Sequence, residues 1–145
     1  MKKDLIEQYN DLLEEQKENE ERILKTEQAL QRLLDDGTTK DSVKGGEGGI
    51  QHFVIEGYPT PDISRQRQLL AIRRAQLRDT QMKIAEKIIE VQGFIDSIDN
   101  SYMRRIITMR VIDRKTWVQI AMSVGGGNTP DSVRMSYNRF FEDCA

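Results

Sequence analysis

The side chains with the most to offer chemically lie close together near the C-terminus. Ser132, Arg134, Met135, Ser136, Asn138 and Arg139 share a short stretch in which Val133, Tyr137, Phe140 and Phe141 recur at i, i+4, i+7 and i+8. That spacing makes a helix with one buried face and leaves donors, acceptors and cations on the other. Arginine pairs bidentately with guanine and asparagine with adenine, while serine, arginine and lysine hold phosphate. Arg134 and Asn138 are therefore expected to read bases. Arg110 and Arg139 are expected to hold phosphate, a role Ser132 also suits, and Lys115 and Met135 complete the expected DNA-contacting set. The expected partner is double-stranded DNA.

Other chemistry has little to work with. His52 is the one histidine and Cys144 the one cysteine, so no zinc set and no histidine-based triad can be assembled. The GGEGG run at 45–49 lacks the Lys-Ser/Thr of a phosphate loop. Carboxylates alternate with cations, as Glu14 and Glu18 do around Lys17, which reads as solvated helix surface. No enzyme activity, no cofactor and no metal are expected. A single thiol fits a reducing compartment. With no apolar run of membrane-spanning length and no signal-peptide core, the expectation is a cytoplasmic protein without membrane contact.

Charge is unevenly spread. Residues 1–36 carry 6 basic and 11 acidic side chains, residues 37–100 carry 9 of each, and residues 101–145 carry 7 basic and 4 acidic. An acidic front repels a phosphate backbone and a basic tail attracts it.

The elements that must position the C-terminal residues follow from periodicity. Asp99 or Asn100 caps a helix through Ile112, and Asp113–Lys115 form a turn. Thr116 caps Trp117–Val124, in which Trp117, Ile120, Ala121 and Val124 share a face and Gln119 completes a capping box. Gly125–Asn128 turn the chain, and Thr129 caps a last helix that opens with Pro130. A short capped helix, a glycine turn and a second capped helix with polar groups outward is the pattern of a helix-turn-helix.

Upstream, residues 3–35 contain no Gly or Pro. Leu5, Tyr9, Leu12, Ile23, Leu30 and Leu33 step by about four and three, with Gln16, Asn19 and Thr26 in the same seam. Asp35-Asp36-Gly37 is the expected stop. Residues 62–98, capped by Asp62 or Ser64, repeat the pattern with Leu70, Leu77, Ile84, Ile88, Val91, Ile95 and Ile98. The two should fold back as an antiparallel hairpin. Leu13, Leu24, Leu34, Leu69, Ile72 and Ile89 widen both stripes beyond what one hairpin covers, which points to a homodimer or higher oligomer. The glycine-rich insert at 37–61 contains Ile50–Glu56, rich in β-branched and aromatic residues, so the 43–57 connector could hold a short β segment. The expected fold is thus mainly α: a coiled-coil-like hairpin over residues 1–98 and a helix-turn-helix module over 99–145.

The stretch SYMRRIITMRVIDRKTWVQIAMSVGGGNTPDSVRMSYNRFF is similar to the DNA-binding C-terminal region of sigma factors. Trp117-Val-Gln-Ile-Ala121 and Asp131-Ser-Val-Arg134 carry the match. The whole chain resembles the ArpU-like and RinA-like late-transcription regulators of phages and prophages, with Val43–Pro59 matching less specifically. No other sigma region is present and GGGN lengthens the turn. The resemblance implies a transcriptional regulator, with RNA polymerase as a further partner. Two other readings stay open at this point: a DNA-packaging component like a small terminase subunit, and a coiled-coil adaptor docking through Tyr137, Phe140 and Phe141.

Overall fold

A computed structural model describes residues 2–44 and 60–144, with side chains described up to Asp36 in the first stretch. Among these residues it is mainly helical and contains no strand. Helix α1 covers Lys2–Lys44 and α2 covers Pro61–Asp96. Three shorter helices follow: α3 (Ser101–Ile107), α4 (Trp117–Val124) and α5 (Pro130–Asp143). Between α3 and α4 the backbone makes a π-helical turn, Thr108–Ile112.

Two boundaries differ from expectation. Helix α1 does not stop at Asp35-Asp36-Gly37 but continues through Gly37 to Lys44. A lone glycine costs a helix only about 1 kcal/mol and cannot end it unless a left-handed cap forms. The start of α2 is capped by neither Asp62 nor Ser64. Thr60 does it: its hydroxyl accepts from the Ile63 amide at 3.2 Å, and Pro61 takes the first helical position. Proline suits that position because its missing N–H would have had no helical partner. The β segment expected in the 43–57 connector lies outside the described residues, apart from residues 43 and 44, which end α1.

Two compact units are formed, one from residues 15–81 and one from residues 1–14 with 82–145. In the first, α1 and α2 run antiparallel. Asn19 meets Thr80 and Thr26 meets Arg73, so the contact on α2 moves back seven residues as that on α1 advances seven, and Glu27 meets Arg74 beside the second pair. The seam mixes the apolar Ile63 and Leu70 with Asn19, Thr26 and Thr80, all buried. The buried polar groups are paired, as burial requires. Asn19 Nδ2 donates to Thr80 Oγ1 at 3.2 Å. Arg73 Nη1 donates to Thr26 Oγ1 at 2.6 Å and to the Arg22 carbonyl at 3.1 Å.

The second unit holds two apolar clusters. Ile6 and Tyr9 of α1 pack with Val91, Phe94, Ile95 and Ile98, and also with Ile107, Val111 and Phe141. Residues on both sides of position 98 therefore share one core, although the periodicity breaks there. The other cluster is Ile106, Met109, Ile120, Ala121 and Val133, wedged among α3, the π turn, α4 and α5.

Candidate functional site

The three C-terminal helices are set by local chemistry before any packing. Asn100 caps α3 by accepting from the Met103 amide at 3.2 Å. Thr116 and Gln119 form the expected capping box, with bonds of 3.2 Å and 3.0 Å between each side chain and the other's amide. A second box joins Thr129 and Ser132 at the start of α5, at 3.1 Å and 2.9 Å. Each box satisfies two amides that a helix N-terminus otherwise leaves without partners.

Between α4 and α5 the turn is built from Gly125, Gly126 and Gly127, with φ of 67°, 64° and 78°. Three consecutive left-handed residues are accessible to glycine and costly for anything with a Cβ. Asn128 fastens this turn to its surroundings. Its Nδ2 donates to the Gly125 carbonyl at 2.8 Å, and its Oδ1 accepts from the Tyr102 hydroxyl of α3 at 3.2 Å.

Packing then orients the faces. Val133 and Phe141 of α5 are buried, with Tyr137 and Phe140 half-buried beside them. Ile120 and Ala121 of α4 are buried, and Trp117 and Val124 rest on the same cluster. Ala121 is small enough to let a neighbouring helix come close. Tyr137 meets Trp117 edge-on at 5.2 Å and Phe141 at 4.8 Å. Burial raises the Tyr137 hydroxyl above its ordinary pKa of 10.0; Arg110 pulls it down and Glu7 pushes it further up.

The residues expected to contact DNA are placed as follows. Arg134, Met135, Asn138 and Arg139 are exposed on α5, with Arg134 in a 3.5 Å ion pair with Asp131 on the preceding turn. Asn138 also borders a cavity of about 560 Å³ shared with Lys3, Glu7 and Glu142. Ser132 is half-buried, and its hydroxyl accepts from the Thr129 amide, so its first duty is the cap. Arg110 is half-buried; its guanidinium lies 4.3 Å over the Trp117 ring and donates to the Lys115 carbonyl at 3.1 Å. The structure thus brings Arg134, Met135, Asn138 and Arg139 onto one surface and turns Arg110 and Ser132 to internal bonds.

The basic balance of residues 101–145 overstates what is free. Arg104 donates to the Ile98 carbonyl and Ser101, and Arg105 to the Ser123 carbonyl. Arg114 reaches Asn10 and Glu14, both at 3.2 Å. Of the seven basic side chains in residues 101–145, Lys115 and Arg139 are the two with no hydrogen bond or ion pair to a described residue.

No family model matches the chain, and neither a curated protein nor a solved structure does. No helix among the described residues is long and apolar enough to cross a membrane, and no group of three His, Cys, Asp or Glu there could hold a metal ion.

Asn128, Tyr102 and Arg114 were not singled out as site-building residues by the sequence. Asn128 beside three glycines carried a signal, because asparagine commonly bonds turn backbone. Arg114 carried none: its partners lie 100 and 104 residues away in the chain.

Proposed function

We propose that the chain binds double-stranded DNA through α4, the glycine turn and α5, acting as a helix-turn-helix, and that it regulates transcription rather than catalysing a reaction. One observation carries the reading. α5 is a doubly anchored helix, capped at its start and buried through Val133 and Phe141, that presents Arg134, Met135, Asn138 and Arg139 outward. Rigid presentation of base-reading side chains is what a major-groove helix requires. The match of Trp117–Ala121 and Asp131–Arg134 to the sigma-type module, and the resemblance to ArpU-like and RinA-like phage regulators, add the transcriptional role.

In this reading Arg134 reads a base and Arg139 and Lys115 hold phosphate, while Arg110 positions the support helix through Trp117. A second copy of the chain supplies a second half-site. The exposed Leu24 and Ile72 in residues 15–81 are apolar surface such a partner would cover.

A second reading has its own support. Met122 is 78% exposed and Val118 56% exposed on α4, and Met135 is exposed on α5. Most arginines of the module are engaged internally. A protein partner would favour that surface more than DNA would.

Selection of bound fragments from random DNA, followed by anisotropy titrations, tests the proposal. Arg134→Ala should cost about 1–3 kcal/mol on the selected site and relax specificity at one position. Arg139→Ala should weaken all sequences alike and lower the salt dependence by about one phosphate contact. Absence of salt-sensitive binding at low ionic strength sinks the DNA reading and leaves protein docking.

A further inference from the structure

Two backbone departures border one cavity in the unit of residues 1–14 and 82–145. The π-helical turn carries Arg110 and Val111, and Arg114 adopts a φ of 55°, the one left-handed non-glycine among the described residues. Both conformations cost free energy that a regular turn or a glycine would avoid, and both recur where a site is being shaped. The cavity holds about 260 Å³ and is lined by Asn10, Glu14, Arg110, Val111, Arg114 and Tyr137.

Its chemistry is directional. Arg110 is fixed in place by the Trp117 ring beneath it and by the Lys115 carbonyl. Arg114 is held by Asn10 and Glu14. The Tyr137 hydroxyl makes no hydrogen bond to a described residue, and burial keeps it protonated and able to donate. Among the lining residues two guanidinium groups face one carboxylate, Glu14, while Glu7 acts on the Tyr137 hydroxyl from outside the lining. Guanidinium forks match the paired oxygens of phosphate and carboxylate.

We propose that this cavity binds one small oxyanion, a phosphate or carboxylate group, between Arg110, Arg114 and the Tyr137 hydroxyl, displacing Glu14 from Arg114. The Glu14–Arg114 pair is about half exposed on each side, so solvent screens it and a better-placed anion can replace it. Glu14 is then a resident competitor, and its removal should strengthen binding, an effect that general attraction to a basic surface would not single out. Because Tyr137 belongs to α5, occupancy would bear directly on that helix. The inference stands apart from the DNA reading.

The chain carries its own reporter. Trp117 is the sole tryptophan and lies under Arg110, so its emission follows the guanidinium. The full chain is titrated with inorganic phosphate at constant ionic strength, with calorimetry in parallel. Wild type should give a saturable change. Arg114→Gln should weaken binding about tenfold, the loss of one charge-assisted contact. Tyr137→Phe should weaken it severalfold, and Glu14→Gln should tighten it. Helical circular dichroism checks each fold. A linear response, an unchanged affinity in both Arg114→Gln and Tyr137→Phe, or no tightening in Glu14→Gln overturns the site. A short random duplex identifies the source. Competition between duplex and phosphate, lost in Arg114→Gln, assigns the oxyanion to a DNA phosphate. Saturable phosphate binding unaffected by duplex assigns it to a free ligand. DNA binding that persists without any phosphate signal overturns this inference alone.

Discussion

The antiparallel pair over residues 15–81 and the cluster beneath α3, α4 and α5 are filled with opposite materials. The first buries Asn19, Thr26 and Thr80 along its seam, tied by Asn19–Thr80 and Arg73–Thr26 hydrogen bonds. The second buries Ile106, Met109, Ile120, Ala121 and Val133, with no polar side chain inside. Apolar burial stabilises without direction, at roughly 25 cal/mol per Å². Hydrogen bonds add less net free energy but fix which residue faces which. Two long helices with heptad-spaced stripes need that discrimination, because a slip of seven residues keeps apolar facing apolar. Such a slip would leave Asn19 buried without Thr80. Three short helices joined by tight turns have no alternative register and can be packed by shape alone.

The contrast is broken most sharply in the apolar cluster. Ile120→Ala should cost about 2–5 kcal/mol, since its side chain is fully buried and little can collapse into the gap. Denaturant titration followed by Trp117 emission should show the loss. The helical signal of residues 15–81 should persist past that transition; a single coincident transition would mean the two regions unfold as one.

Next comes the polar seam. Asn19→Ala should destabilise by about 1–3 kcal/mol, the cost of removing one partner of a buried pair. The double change Asn19→Leu with Thr80→Val should recover most of that stability but loosen the register, seen as reduced amide protection around residues 19–26. Equal protection in the double variant would show that the apolar stripes alone set the register.

Smaller effects sharpen the picture at the helix starts. Thr129→Ala should cost about 1 kcal/mol, because it leaves the Ser132 amide without its acceptor, and Thr116→Ala should cost a similar amount through Gln119. Unchanged denaturation midpoints would mean solvent caps these helices equally well.

The smallest effect is a pH dependence. Tyr137 holds its proton more tightly folded than unfolded, so its contribution is complete below pH 10.0 and is lost as the pH climbs through the raised value. Stability should fall more steeply above pH 10 in wild type than in Tyr137→Phe, measured by urea midpoints across that range.

Much of this was legible in the residues. Capping boxes, the glycine turn and the buried faces of α4 and α5 depend on neighbours within a few positions. Spacing therefore located Thr116 with Gln119, Gly125–Gly127, Ile120 and Val133. Ser132 was legible as a polar residue on the first turn of α5, but not as a hydroxyl already spent on Thr129. The seam positions Asn19 and Thr26 were legible as polar interruptions of a heptad stripe. Their partners Thr80 and Arg73 were not, because periodicity says which face is buried and not what lies across from it.

What the sequence by itself determined is the set of helices, most of their ends and the sidedness of each. All of these follow from local propensity, caps and a 3.6-residue period. Tertiary structure alone decided which charges are spent and which are free. Arg110 is stacked on Trp117, Arg114 is drawn by a left-handed backbone to Asn10 and Glu14, and Arg139 is left exposed. It also decided that Ile6 and Tyr9 share a core with Phe141, across more than 130 residues of chain. The reason is physical: a guanidinium on a flexible stem takes whichever acceptor the folded surface brings within about 3 Å, and that proximity is created by packing between distant segments.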